Sequence, residues 1–152
     1  MVQYMHYNIK KESIMPKLKE FETHKHLLHF SPMDDLHQEF LDIYNSVNVS
    51  DNNSFKEKLT VLLAHSKKHF AQEEALMDEF KYSTQKEHKE EHNKVLTEME
   101  YFLNLSVTPF GQKMLKAYYL EKIPSWFDLH LISMDSDLVH FLNSKITKER
   151  VS

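Results

Sequence analysis

Glycine is nearly absent from this chain, and that absence constrains the fold more than any other feature of the sequence. One Gly and four Pro occur in 152 residues. An all-β or α/β chain needs turn residues at regular short intervals, and this chain lacks them. Leu, Lys, Glu, Met and Gln are plentiful, as is typical of helices. The sequence therefore predicts an all-α fold, and its length is that of one domain.

Helix start signals and apolar residues at helical spacing divide most of the chain into four stretches. Pro follows Ser31 and Thr108, and capping-box patterns begin at Ser54 and Thr84. The short connections between stretches favour antiparallel neighbours, so the sequence predicts an up-down-up-down four-helix bundle. The last stretch would be about 55 Å long as one helix, too long for this bundle, and a break is therefore predicted at Pro124.

The two ends of the chain are predicted to lie outside the bundle of residues 31–147. Residues 1–30 contain apolar residues without a sustained period and are divided by Pro16. We expect them to form an N-terminal arm packed on the bundle, with a short helix and a surface that an unidentified protein partner could use. Residues 148–152 are predicted to be a C-terminal tail. The arm also contains three histidines that we expect to be solvated: His24, His26 and His29.

Charge and composition exclude several classes of function. The formal net charge is -4, whereas a nucleic-acid surface usually gathers an excess of Lys and Arg. No apolar run approaches the roughly 20 residues needed to cross a bilayer, and residues 1–10 lack the apolar stretch of a signal peptide. We therefore expect a cytoplasmic protein that binds neither nucleic acid nor a membrane. The chain has no Cys, so any metal must be bound through His, Asp and Glu.

Histidine is abundant, and several of the eleven His residues stand close to another residue of a metal-binding type. Three such pairs are His69 with Glu73, His88 with His92, and His130 with Asp135. The members of the first two pairs are four apart and share a helix face. The third pair is five apart, about 140° around an ideal helix, so a π-bulge is predicted there. One pair could arise by chance, but a metal site in a bundle core requires ligand types on several helices, as here.

These residues and their spacing resemble the hemerythrin family, specifically its bacterial single-domain members, over roughly residues 33–141. The step of fifteen residues from Glu73 to His88 agrees with the family. The stretch from His92 to His130 is longer than usual, and the arm is extended and rich in His. The resemblance rests on four motifs: Asp34-x-x-His37, His69-Phe70-x-x-Glu73-Glu74-x-x-Met77, His88-x-x-x-His92 and Trp126-x-x-x-His130-x-x-x-x-Asp135.

The resemblance implies a non-haem centre of two iron ions (Fe2+/Fe3+) joined by an oxo or hydroxo bridge. One iron would have three histidine ligands, the other would have two, and two carboxylates would bridge them: His88, His92 and His130; His37 and His69; Glu73 and Asp135. Filling two octahedra in this way leaves one position open, on the iron with two histidines. Five side chains stand where the family's oxygen pocket would be, although core packing explains them equally well: Phe40, Phe70, Trp126, Phe127 and Leu131.

The implied function is reversible binding of molecular oxygen, for carriage, storage or delivery, by two-electron transfer from a diferrous pair in a dry pocket. Sensing of oxygen, nitric oxide or redox state, and a di-iron enzyme that reduces oxygen or peroxide, remain alternatives because the same ligands serve each. An oxygen-binding protein is preferred to a catalyst because no added acid-base or electron-entry group is recognisable. A ferritin-like protein should show Glu-x-x-His pairs, which are absent. Bridging carboxylates disfavour a mononuclear zinc or nickel protein.

Three residues near the implied ligands are not assigned to iron. Asp34 is either a ligand-like residue or an acidic residue favoured in the first turn of a helix. His65 lies one turn before His69 and could hydrogen-bond a ligand. Glu74 is expected to point away from the metal, toward the surface.

Overall fold

The computed structural model describes residues 17–151, with side chains to residue 147, and all regular structure in that range is helical. Four helices precede a long fifth one, α5, which covers residues 109–151. They are α1 (Thr23–His26), α2 (Ser31–Asn45), α3 (Asn52–Glu79) and α4 (Gln85–Leu105). The all-α prediction is confirmed for this range. The first 16 residues of the predicted arm lie outside it, and α5 continues to Val151, past the boundary predicted at residue 147.

The predicted break at Pro124 is wrong, because α5 passes through this residue as one continuous helix. In a regular helix the proline ring would clash with the carbonyl group four residues earlier, which belongs to Leu120. Here Tyr118–Lys122 forms a wider π turn just before the proline. The π turn alters the backbone where the clash would occur, so the helix continues without breaking.

Helix ends show how a chain with a single glycine makes its turns. α3 begins one residue after its N-cap Asp51, whose carboxylate accepts from the amide of Asn53, so the N-cap predicted at Ser54 is wrong by three residues. After α3, Lys81 takes a left-handed conformation with φ 55°, a role usually filled by glycine. Gly111 is needed at the α4–α5 turn, since a Cβ there would lie 1.7 Å from the carbonyl oxygen of Leu105.

Neighbouring helices contact one another in opposite residue order, as antiparallel helices must. Between α2 and α5 the contacts run from His37–Asp135 to Tyr44–Tyr119, and between α3 and α4 from His92–Glu74 to Lys67–Glu100. The core contains a larger apolar cluster that includes Phe40, Leu59 and Tyr119, and a smaller one that includes Met77 and Leu142. Each fully buried leucine stabilises the fold by roughly 2 kcal/mol.

The described part of the arm lies along α2. The side-chain amide of Asn45 pairs with the backbone of Lys19, and the carboxylate of Asp34 accepts from the amides of Leu28 and Phe30. His26 is fully buried, so the prediction that it is solvated is wrong, whereas His24 and His29 are exposed. Within residues 17–151 the helices are too polar or too short to span a bilayer.

Candidate metal centre

The seven side chains singled out in the sequence come together in the core, and none is more than 5% exposed. α2 contributes His37, α3 contributes His69 and Glu73, α4 contributes His88 and His92, and α5 contributes His130 and Asp135. They form two groups, each able to hold a metal ion. Within each group, the ligand atoms lie within 4.8 Å of one another. One group has two histidines and the other has three: His37, His69 and Glu73; Glu73, His88, His92, His130 and Asp135.

All five histidines turn the same ring atom, Nε2, toward the centre of this cluster. The Nε2 atoms of His88 and His130 are 3.3 Å apart. Two ligands at right angles on a metal, each with a bond of about 2.1 Å, would be about 3 Å apart. The spacing in the larger group is therefore close to that of ligands on one ion.

The two carboxylates lie between the histidine groups, and each presents a different oxygen to each group. Oε1 of Glu73 is 3.2 Å from Nε2 of His92, whereas Oε2 hydrogen-bonds Nε2 of His69. Oδ1 of Asp135 is 3.0 Å from Nε2 of His88, whereas Oδ2 is 2.8 Å from Nε2 of His37. This is the arrangement that a carboxylate needs in order to bridge two metal ions.

A second π turn, Leu131–Asp135, brings Asp135 into the cluster. The predicted π-bulge is confirmed at this position. On an ideal helix, His130 and Asp135 would point in different directions, but the wider turn brings Oδ1 of Asp135 to 3.1 Å from Nε2 of His130. The irregular backbone thus supplies one of the two carboxylates.

The facing histidines offset the cost of burying the two carboxylates. Burial and the charge of Asp135 act to raise the pKa of Glu73, but His69 and His92 outweigh them and lower this pKa to about 2. Burial likewise acts to raise the pKa of Asp135, yet the facing histidines hold it well below its ordinary value. The metal-free cluster therefore keeps both carboxylates ionised, which is the form that binds a metal cation.

Several buried polar atoms of the cluster lack a hydrogen-bond partner among the described residues. Three of them are the Nδ1 atoms of His37, His69 and His130, whose Nε2 atoms face the centre. The other two, Oε1 of Glu73 and Nε2 of His92, face each other across the centre without hydrogen-bonding geometry. Buried polar atoms in native proteins are almost always satisfied. The unpaired inward atoms of Glu73 and His92 fit a bound metal ion, and imidazole and carboxylate are suitable ligands for iron.

A small cavity adjoins the metal cluster. Its volume is about 10 Å³, close to that needed for one water-sized molecule. Four side chains of the metal cluster line it, and they include both histidines of the two-histidine group: His37, His69, His130 and Asp135. Its apolar wall consists of the five side chains named from the sequence: Phe40, Phe70, Trp126, Phe127 and Leu131.

Sequence reasoning missed one residue that contacts the cluster. Oε2 of Glu74 is 2.9 Å from Nδ1 of His92, a contact that the predicted surface role of Glu74 did not include. Its place on α3 turns Glu74 away from the metal cluster, as expected, and its carboxylate contacts α4 while the side chain stays partly exposed. The position of Glu74 next to the ligand Glu73 in the sequence was a signal that it lies near the cluster. Only the packing of α4 shows which residue it contacts.

The other neighbours have structural partners. His65 donates from Nε2 to the carbonyl oxygen of Leu36 at 3.2 Å and packs edge-on against His69 without a hydrogen bond to it. Trp126 stacks on His130 with ring centroids 4.7 Å apart, and its indole donates to Glu91. Asp34 accepts hydrogen bonds from arm amides and is absent from both metal-binding groups.

Comparison with known proteins adds no assignment, because no protein-family model, no curated protein and no solved structure matches this chain. The class of site therefore follows from the residues themselves. The protein is all-helical over its described range and has buried His, Glu and Asp groups that could hold metal.

Proposed function

We propose that this chain is a hemerythrin-like protein that binds molecular oxygen reversibly at a non-haem di-iron centre, for carriage, storage or delivery. In this proposal α2 to α5 form an up-down-up-down four-helix bundle around the two irons. The antiparallel order of contacts between neighbouring helices supports that topology.

One observation carries the proposal: each of two buried carboxylates directs one oxygen toward a three-histidine group and the other oxygen toward a two-histidine group. In a site for a single ion, neither carboxylate would need to direct its two oxygens toward two different histidine groups. Unequal numbers of histidines would leave a vacant position on the ion with fewer histidines. The cavity is lined by both histidines of that group, His37 and His69, and by one histidine of the other group, His130.

A diferrous pair, when bound, would supply two electrons to oxygen. The residues of the chain would hold, orient and shield that pair. His37 and His69 would bind one ion; His88, His92 and His130 would bind the other. Glu73 and Asp135 would bind both and fix their separation.

The cavity wall would determine what reaches the site. Phe40, Phe70 and Phe127 are buried, and Leu131 closes the wall beside them. This apolar surface offers water no hydrogen bond, so it would favour a small apolar molecule over water. Excluding water and external protons is what reversible oxygen binding requires.

The proposal is tested by loading the chain anaerobically with ferrous iron and counting iron per chain. Optical spectra would then be followed through repeated oxygenation and deoxygenation. We expect about two irons per chain and spectra that return to the deoxygenated form in each cycle. Iron content well below two would overturn the di-iron site. Irreversible oxidation in the first cycle would instead favour a di-iron enzyme or a sensor.

A matched pair of variants tests the bridging role. Glu73→Ala removes a carboxylate that faces both histidine groups, and we expect iron affinity to fall by at least about 100-fold. His140→Ala, on an exposed histidine of α5, should leave the iron content unchanged. Equal iron retention in the two variants would contradict the assignment of Glu73.

A further inference from the structure

Three side chains of the arm, two lysines and a histidine, donate hydrogen bonds to one carboxylate of α5. Asp128 accepts from Nζ of Lys19 at 2.9 Å, from Nζ of Lys25 at 3.0 Å and from Nε2 of His26 at 2.7 Å. The amide of Glu22 donates to Nδ1 of His26, so the hydrogen of this ring is on Nε2 and points at Asp128. Charge-assisted hydrogen bonds of this kind are about twice as strong as neutral ones.

The contacts with Asp128 also hold the arm against Phe127, a residue of the cavity wall. The buried ring of His26 meets the ring of Phe127 edge-on, with centroids 5.3 Å apart. On its other side Phe127 stacks on Phe40 at 5.1 Å and meets the ring of His37 at 6.0 Å. Helix α1 also packs on the π turn that carries Asp135. Residues 19–30 thus form an outer layer behind the wall of the cavity.

This outer layer contributes no ligand to the two-histidine group, whose ligands come from α2, α3 and α5. Asp128 lies one residue after Phe127 in the chain and outside the metal cluster. Its three bonds with the arm therefore hold the wall in place without contacting the metal. That position suits a residue that controls the access of small molecules to the cavity.

We propose that Asp128 is a positioning residue that, through His26, Lys19 and Lys25, clamps the arm over Phe127 and so determines which molecules reach the two-histidine group. A closed clamp admits a small apolar diatomic molecule and excludes water and anions. An open clamp exposes the cavity to solvent between α2 and α5. This inference rests on the proposed function, since it takes the cavity to be the oxygen site.

The first test needs no metal. The chain has no cysteine, so Leu131→Cys places a single thiol in the cavity wall. In that background Asp128→Asn should speed labelling by a small thiol reagent about tenfold, because it weakens the clamp's charge-assisted bonds. Lys25→Met, which removes one of the three donors to Asp128, should have a smaller effect in the same direction.

Two controls separate local opening from general destabilisation. Asp42→Asn alters an exposed carboxylate of α2 whose partner is Gln38, and should leave labelling unchanged. Leu142→Cys places the thiol in the smaller apolar cluster, where Asp128→Asn should not speed labelling. Unchanged labelling at position 131, or equal acceleration at position 142, would overturn the proposal.

The second test uses the iron-loaded protein. Asp128→Asn should leave iron content unchanged while azide binds the diferric form about tenfold faster and the oxygenated form is lost faster by a similar factor. Faster labelling with unchanged azide binding would overturn the access role. If the chain failed to take up iron, the proposed function would fall, whereas the labelling result on the metal-free chain would still decide whether the clamp closes the cavity.

Discussion

The core contains two buried polar clusters, and they satisfy their polar atoms in different ways. Toward the α4–α5 turn, Tyr44 and Tyr119 stack with centroids 4.7 Å apart. Each hydroxyl donates to the other residue's carbonyl oxygen, at 3.0 Å and 2.7 Å. The histidine and carboxylate cluster leaves inward atoms of Glu73 and His92 without hydrogen-bond partners among the described residues.

The difference separates a structural cluster from one that needs a ligand. Reciprocal hydrogen bonds compensate the desolvation of both tyrosines, so that pair is complete in the folded chain. The other cluster holds charged groups whose burial is costly unless a partner completes it. We therefore expect metal to stabilise one cluster and to leave the other unaffected.

The largest effect is expected from the metal itself. At a free ferrous iron concentration about 1,000 times its Kd, anaerobic loading should stabilise the chain by about 4 kcal/mol. This corresponds to a rise in Tm of roughly 10 °C for a chain of this size. Differential scanning calorimetry of metal-free and loaded protein measures the change. An unchanged Tm would show that the cluster is complete without metal and would remove the contrast.

Removal of one tyrosine hydroxyl should give the next largest effect. Tyr44→Phe leaves the carbonyl oxygen of Tyr119 without its donor, and we expect the free energy of unfolding to fall by about 2 kcal/mol. Urea unfolding measures the loss, and iron content should stay at about two per chain. Tyr101→Phe, on an exposed side chain, is the control and should change neither quantity. Loss of iron in Tyr44→Phe would mean that the two clusters are coupled.

A smaller effect is expected at the outer face of His92. Glu74→Gln keeps the shape of the side chain but removes the charge that faces Nδ1 of His92, so iron affinity should fall about tenfold. Competition with a chelator measures this affinity. Glu79→Gln, at an exposed position of the same helix, should have no effect. Equal affinities would show that Glu74 is only a packing neighbour.

The last expected effect is a pH dependence to which Tyr44 contributes. Burial raises the pKa of Tyr44 from 10.0 to about 12, so the unfolded chain loses this proton at lower pH than the folded chain. Its contribution to stability is complete below pH 10 and is lost as pH rises from 10 to about 12. Urea unfolding of metal-free protein should therefore show a shallower decline in Tyr44→Phe than in the wild type. Parallel declines would place the alkaline sensitivity elsewhere.

Local sequence signals predicted what depends on a few neighbouring residues. Thr108 caps α5 as expected, with Oγ1 accepting from the amide of Gly111 at 3.0 Å. The five-residue step from His130 to Asp135 predicted a π turn because no regular helix could direct both side chains to one point. The predicted break at Pro124 was wrong because the π turn at Tyr118–Lys122, which lets the helix continue, has no comparable signal in the sequence.

The sequence by itself determined that the chain is helical and which residue types could bind metal, because helix periodicity and ligand chemistry are local properties. Only the tertiary structure decided the partners of side chains that leave their own helix. His26 was expected in solvent and is buried against Asp128, and Glu74 was expected at the surface and contacts His92. Both contacts join residues more than fifteen positions apart, and such pairings depend on how whole helices pack, which no short window of sequence contains.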